Sequence, residues 1–434
     1  MSAHIHSPTD FKKTRGYQQI VSWLEAKGWQ PFAYQVAAWE AIHKRQSGLV
    51  NAPTGYGKTF SVFLGALIQF INTQEYSDKK PAQRGLQLLW ITPLRALAKD
   101  IGRAMEEVLE EMKIPWTVGI RNGDTSAQER TRQKKQLPEI LIITPESLHL
   151  MLAAKNYAEM FQQLAVIAVD EWHEMLGSKR GVQVELALSR ILQLAKKQSL
   201  SLPSLWGISA TIGNLEEAKE VLLSASGTEG ILIQPQFRKA IKIESVYPDE
   251  IEKYPWAGHL GLKLIRKILP IIEQSRTTLI FINTRGMSEL WYQKLLAEAP
   301  ELAGAIALHH GSIDRELRNW VEEQLHLGKL KAVVTTASLD LGVDFRPVET
   351  VIQVGSPKGV ARFLQRAGRS GHQPEAVSQI YFLPTHSLEL LEAAALKEAL
   401  DQQVMEIRPP LQLCYDVLTQ YCCTLAISDG FEEK

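Results

Sequence analysis

Short, almost wholly apolar runs recur along this 434-residue chain and constrain its fold more than any other feature. Leu86-Gln87-Leu88-Leu89-Trp90-Ile91, Ile140-Leu141-Ile142-Ile143, Ala165-Val166-Ile167-Ala168-Val169 and Leu205-Trp206-Gly207-Ile208 come first. Thr278-Leu279-Ile280-Phe281-Ile282, Lys331-Ala332-Val333-Val334 and Thr350-Val351-Ile352-Gln353-Val354 follow. A strand with one wet face alternates apolar and polar residues, whereas a continuous apolar run suits a strand covered on both faces. Glycine-bearing loops and amphipathic stretches separate the runs. The alternation predicts an α/β chain whose parallel sheets are joined by right-handed helical crossovers. The runs are too many for one comfortable sheet, and the series pauses where Gly227, Gly230, Pro235, Pro248 and Pro255 cluster. We therefore expect one domain over residues 1–234 and a second over 235–400. Residues 401–434 then hold a further stretch with helix-like apolar spacing beyond Pro409-Pro410. A single helix cannot bury its own apolar face. It docks on the preceding domains or begins another.

Composition removes several classes. Lysine plus arginine and aspartate plus glutamate both number 48, so nucleic-acid binding has to come from a local patch. Cys414, Cys422 and Cys423 make neither a disulfide framework nor a zinc site and read as thiols in a reducing compartment. No apolar signal core opens the chain and no stretch is apolar enough to span a membrane, so a cytoplasmic protein is expected.

The chemistry-bearing motif nearest the start is Ala52-Pro53-Thr54-Gly55-Tyr56-Gly57-Lys58-Thr59, which follows an apolar run and precedes a helical stretch. A strand, a tight glycine loop and a helix N-terminus make a phosphate cradle. Gly55 and Gly57 let backbone amides face phosphates, Lys58 adds positive charge, and Thr59 offers a hydroxyl to Mg²⁺. Asp170-Glu171-Trp172-His173 sits at the end of a buried run, where parallel sheets bind ligands. Asp170 suits Mg²⁺ and Glu171 suits a general base acting on water. Gln365-Arg366-Ala367-Gly368-Arg369-Ser370-Gly371-His372 can place positive charge on a departing phosphate, although alone it could be a surface patch.

In this order the motifs resemble those of a superfamily-2 helicase, with two tandem RecA-like P-loop domains. Phe32 and Gln35 resemble its adenine-reading motif, and residues 52–59 and 170–173 its motifs I and II. Ser209-Ala210-Thr211 resembles motif III, Phe281-Ile282-Asn283-Thr284-Arg285 motif IV, residues 335–344 motif V and residues 365–372 motif VI. Further strings, such as Arg121-Asn122-Gly123-Asp124-Thr125 and Thr144-Pro145-Glu146-Ser147-Leu148, narrow the resemblance to the large helicase-related (Lhr) family, in its ligase-associated branch. The resemblance implies ATP in a cleft between the domains, contacted by Thr54, Asp344 and Arg366 as well. Arg369 acts as arginine finger, Gln365 lies near the γ-phosphate or attacking water, and His173, Ser209 and Thr211 couple hydrolysis to movement. His372 stands where many relatives carry arginine.

The same resemblance assigns nucleic-acid contacts to Thr92, Arg95, Arg121, Gly123, Asp124, Thr144 and Ser147. In the second domain it adds Arg285, His310, Gly311, Ser312, Thr336 and Ser338. Hydroxyls and amides at helix starts fix a strand's register without reading sequence. Individually these residues also read as turn formers or helix caps. Most tryptophans, among them Trp23, Trp29, Trp39, Trp90, Trp206, Trp291 and Trp320, read as core rather than base-stacking, and Lys134-Lys135 as a solvated face. The family implies a monomeric motor moving 3′ to 5′ on single-stranded DNA, unwinding DNA duplexes or DNA:RNA hybrids in repair, with DNA ligase and nuclease partners. It also implies that residues 411–430 begin a winged helix cut short here. Two other readings stay open: an RNA helicase, and an ATP-switched nucleic-acid adaptor with little hydrolysis.

Overall fold

The computed structural model describes residues 11–53, 55–73, 85–210, 212–236, 240–248, 261–340, 348–371, 377–402, 404–428 and 430. Thr54, Thr211, Asp344 and His372 lie outside the described residues. The chain forms two compact units. One takes in Met1–Ala52, Gly57–Gln236 and Arg408–Lys434; the other takes in Pro53–Tyr56 and Phe237–Ile407.

The first unit is built on a parallel sheet of β1 (Gly48–Asn51), β2 (Leu88–Ile91), β3 (Val118–Arg121), β4 (Ile140–Ile143), β5 (Val166–Val169), β6 (Ser204–Ser209) and β7 (Ile231–Ile233). Their order is β3-β4-β2-β5-β6-β1-β7. The apolar runs occupy its interior. β1, β2, β4, β5 and β6 are buried at every residue, while the edge strands β3 and β7 are only partly buried. Strand register aligns the C-terminal ends: Arg121 pairs with Ile143, Ile91 with both Ile143 and Val169, and Asn51 with Ser209. The loops after these strands therefore emerge along one edge of the sheet, where open α/β sheets bind ligands.

The second unit repeats the plan with β8 (Ile241–Ser245), β9 (Thr278–Phe281), β10 (Ile306–His309), β11 (Ala332–Thr335), β12 (Thr350–Val354) and β13 (Ser378–Leu383). The order is β10-β11-β9-β12-β13-β8, and again every described pairing is parallel. Alternate residues of one strand feed two separate cores. Leu279 and Phe281 pack on one face with Val333, Val351 and Phe382. Ile280 and Ile282 pack on the other with Trp291, Val334 and Ile352. A period of two with both faces covered is why the sequence is apolar at every position.

Trp39, Trp90, Trp206 and Trp291 are fully buried, as expected of core residues, whereas Trp29 and Trp320 are exposed. Beyond Ile407 the chain returns to the first unit. The helix Tyr415–Ser428 lies on the helices Pro145–Leu152 and Lys179–Lys197. Lys179 pairs with Asp416 at 2.5 Å, and the Arg190 guanidinium lies 4.0 Å from the Tyr157 ring centroid while donating to Ser428 Oγ. Cys422 and Cys423 on this helix, and Cys414 just before it, are free. Among the described residues, no helix is long and apolar enough to cross a membrane.

Candidate nucleotide and nucleic-acid sites

Asn51 ends β1, and Lys58 opens the helix Lys58–Thr73. Between them Gly55 and Gly57 take φ of +86° and +71°, a region side-chain-bearing residues rarely occupy. Gln35, buried in the helix Ala33–His43, is anchored at both ends of its amide. Its Oε1 accepts from Phe32 N at 2.9 Å, and its Nε2 donates to Gly57 O at 3.0 Å. A Cβ on Gly57 would fall 2.8 Å from that nitrogen, so glycine is needed there for space as well as for φ. Gln35 thus holds the phosphate loop itself.

β5 delivers Asp170 and Glu171. Asp170 is 4 % exposed; its Oδ1 accepts from Glu171 N at 2.9 Å and its Oδ2 from Trp90 Nε1 at 3.3 Å. Burial, reinforced by the adjacent Glu171 charge, pushes Asp170 up to about 7, against the opposing pull of Lys58. Glu171 sits at φ 49°, ψ 42°, a left-handed conformation costing a non-glycine residue roughly 1–3 kcal/mol. It caps the turn Trp172–Met175, which is pinned by Trp172 Nε1 donating to Ala218 O at 2.8 Å. Two adjacent buried carboxylates, their repulsion opposed by Lys58, make an oxygen-rich pair. Together with the Thr59 hydroxyl on the first turn of the Lys58 helix, this donor set fits Mg²⁺.

His173 is wholly buried, and burial drives its imidazole down to about 3, so it is neutral. Nδ1 accepts from Ala210 N at 3.0 Å, which puts the proton on Nε2, 3.4 Å from Glu171 Oε2 and 3.5 Å from Glu174 Oε1. Motif II is thereby tied to motif III. Ser209 Oγ donates to Ala210 O at 2.7 Å, and Asn51 Nδ2 donates to the same carbonyl at 2.7 Å. Asn51, not singled out from sequence, links the phosphate-loop strand to motif III. A polar residue closing an apolar run just before a glycine loop was the available signal.

Along the same sheet edge, Arg95 Nη1 meets Asp124 Oδ1 at 2.7 Å, and a Cβ on Gly123 would lie 2.5 Å from Arg95 Nη2. Thr144 Oγ1 donates to Ser147 Oγ at 3.2 Å. The Thr92 hydroxyl is buried without a hydrogen-bond partner among the described residues. Arg121 lines a cavity of about 300 Å³ with Ser147, Arg130 and Lys134. Burial, then the charge of Arg130, lowers its pKa from the ordinary arginine value. Lys134 and Lys135 are exposed, as read from sequence, and Lys134 also lines this basic pocket. Its place there depends on the helix Ala127–Lys135 lying beside β3, where Gln133 Nε2 donates to Ile120 O at 3.2 Å, which no local pattern announces.

In the second unit Arg285 is exposed at its helix start, and Gly311 lies close to it, a Cβ there falling 3.8 Å from Arg285 Nη2. His310 is buried 3.2 Å from Glu289, and its Nδ1 accepts from Ser312 N at 3.3 Å. Thr336 N donates to His309 O at 3.4 Å. The Ser338 hydroxyl turns inward, bonded to His309 Nδ1 at 2.8 Å. Gln365 and Arg369 are each 6 % exposed, and Arg369 Nη2 donates to Asp340 O at 3.0 Å. Arg366 serves its own unit. Nε and Nη2 fork onto Asp340 at 2.7 and 3.1 Å, Nη1 donates to Gln353 at 2.7 Å, and Phe281 stacks beneath it. At 1 % exposure it orders this core.

A glycine phosphate loop, an adjacent acidic pair at the neighbouring sheet edge and a second RecA-like unit define a two-unit P-loop motor core. Residues 32–219 match the DEAD/DEAH box helicase family, and residues 261–373 match the helicase conserved C-terminal domain. The "ATP-dependent helicase Lhr-Core protein 2" of Thermococcus barophilus is 37 % identical over 89 % of this chain and 45 % of its own. The "Lhr helicase/uracil glycosylase" of Escherichia coli is 31 % identical over 93 % of this chain and 29 % of its own. The structure of Mycobacterium smegmatis helicase Lhr bound to ssDNA and AMP-PNP superposes with a TM-score of 0.79 at 31 % identity, covering 95 % of this chain and 52 % of that one. The chain belongs to the superfamily-2 helicases, in the Lhr family, and spans about half or less of the length of these relatives.

Proposed function

We propose that this chain is the ATP-driven motor of a helicase that tracks along single-stranded DNA, 3′ to 5′, and opens DNA duplexes or DNA:RNA hybrids in DNA repair. One observation carries the reading: Lys58, Asp170, Glu171 and the His173–Ala210 bond gather at the C-terminal edge of one parallel sheet. The loop amides up to Thr59 and the Lys58 ammonium bind the triphosphate. Thr59 and Asp170 would hold Mg²⁺, which when bound would neutralise charge on the β- and γ-phosphates. Glu171 accepts a proton from the attacking water while the water oxygen bonds to the γ-phosphorus. The bond from phosphorus to the bridging oxygen breaks, and ADP leaves with that electron pair. Arg369 and Gln365 contribute positive charge and water positioning from the second unit. Loss of the γ-phosphate contacts releases the grip of one unit, and alternating grip gives stepping.

The basic cavity around Arg121, Arg130 and Lys134, beside Arg95, Ser147 and Thr144, supports a phosphodiester track on the first unit. Arg285, Gly311, Ser312 and Thr336 support its continuation on the second. The test is steady-state ATP hydrolysis with and without single-stranded DNA, for this chain and for Lys58→Ala. Hydrolysis stimulated by DNA and reduced at least about 100-fold in the variant is expected. Turnover indifferent to DNA, or undiminished in Lys58→Ala, overturns the reading, and stimulation by RNA alone replaces its substrate.

A further inference from the structure

Glu406 and Arg408 stand one residue apart, and each reaches into a different part of the motor. Glu406 belongs to the second unit. There the helix Val360–Ala367, which carries Gln365 and Arg366, begins after Gly359, a residue with no side chain to cap it. The Glu406 carboxylate fills that role. Oε1 accepts from Val360 N and Oε2 accepts from Ala361 N at 2.9 Å. Gly359 has φ +140°, and a Cβ there would lie 2.7 Å from Glu406 Oε1, so glycine makes room for the carboxylate. An anion on the first amides of a helix also meets the positive end of its dipole.

Arg408 belongs to the first unit. Nη1 donates to His173 O at 2.9 Å, and Nη2 lies 3.3 Å from Glu174 Oε1. Its backbone is held as firmly: Arg408 N donates to Asn214 Oδ1 at 2.9 Å, and Asn214 Nδ2 donates to Arg408 O at 3.0 Å. Asn214 precedes the helix Leu215–Leu223 and follows motif III by three residues. Next along the chain, Pro409 O sits where a Cβ on Gly177 would approach to 2.8 Å. One arginine therefore grips the motif II turn by its side chain and the segment after motif III by its backbone.

We propose that Glu406-Ile407-Arg408 is a coupling strap, with Arg408 a positioning residue for motif II and Glu406 one for the motif VI helix. Each contact lies inside its own unit, and the covalent chain joins them through Ile407. A link of one intervening residue transmits displacement between its anchors, unlike a long flexible linker. The strap makes the setting of His173 and Glu171 depend on the motif VI helix, independently of bound nucleotide. This inference deepens the proposed ATPase reading and rests on it for its consequence in turnover.

The test uses the full chain and two readouts. In hydrogen-exchange mass spectrometry, Arg408→Ala changes a first-unit contact yet is expected to speed exchange of the Val360 and Ala361 amides about tenfold, as Glu406→Gln does directly. In steady-state assays the same variant is expected to lower DNA-stimulated kcat about tenfold with KM for ATP within about twofold. Arg408→Lys, which keeps charge but loses the fork, should fall between. Unchanged exchange at Val360 and Ala361 in Arg408→Ala overturns the strap. So does exchange raised uniformly across the chain together with a lowered Tm, the mark of a merely structural residue. If the unaltered chain shows no DNA-stimulated hydrolysis, the proposed function fails while the exchange readout still decides the strap.

Discussion

Asp170 and Asp340 are equally buried, each 4 % exposed, but they keep different company. Asp340, in the second unit, receives a forked guanidinium from Arg366, and Arg362 stands 3.5 Å away. Asp170, in the first unit, has another carboxylate as its neighbour in sequence, and Lys58 is the cation that opposes their repulsion. The contrast separates two uses of buried charge. A neutralised, hydrogen-bonded cluster fixes geometry. An under-neutralised acidic pair at a sheet's ligand-binding edge favours a cation and, through it, phosphates. The first unit thus uses buried charge for a cation-binding pair, and the second for fixing a helix.

If this division holds, removing charge from the acidic pair should damage turnover and spare the fold. Glu171→Gln keeps volume and hydrogen bonding while losing the base. We expect kcat to fall about 1,000-fold, about 4 kcal/mol of barrier, with nucleotide binding and Tm preserved. Single-turnover phosphate release and a nucleotide titration check both halves. A comparable loss of Tm would place Glu171 among the structural charges and erase the contrast with Asp340.

The converse experiment is Arg366→Met, which fills similar volume but strands Asp340. Breaking a buried pair from one side should destabilise the second unit by about 3 kcal/mol. Denaturant unfolding measures it. Any fall in kcat should then recover in the double variant Arg366→Met, Asp340→Leu to the extent that stability does. A variant that keeps its stability and loses ATP affinity would return Arg366 to the nucleotide.

These assignments were unevenly legible in the sequence. Most interior strands announced themselves because both faces are covered, as Ile140-Leu141-Ile142-Ile143 illustrates, whereas the interior strand β13, with alternating burial, did not. The edge strands β3, β7, β8 and β10 did not. With one neighbour and partial exposure they need fewer apolar residues, so Ile231–Ile233 and Ile241–Ser245 fell in what reads as a pause. Motifs whose residues are consecutive, such as Asp170 to His173, were readable because one short loop carries them. Contacts made by distant chain were not. Arg408 lies 235 residues from His173, and nothing in its own neighbourhood names that partner. The fork of Arg366 on Asp340 was equally hidden, because a sequence motif does not say which way a side chain turns.

The smallest expected effect extends the contrast to a carboxylate outside the site. Glu185, half-buried on the helix Lys179–Lys197 of the first unit, is raised from the ordinary 4.5 to about 7 by burial. The folded state therefore binds this proton more tightly than the unfolded chain does. Its contribution to stability is fully present below pH 4.5 and is lost as pH rises through about 7. Glu185→Gln removes the titration. The variant and the unaltered chain should match near pH 4.5, and the variant should melt about 2 °C higher at pH 8. Differential scanning calorimetry across that range reads the difference directly. A difference of the opposite sign would mean that Glu185 is neutralised by a cation as Asp340 is, so that the first unit's tolerance of uncompensated carboxylates is confined to its phosphate edge. The expected sign makes that tolerance a property of the whole unit, with Asp170 and Glu171 its functional extreme.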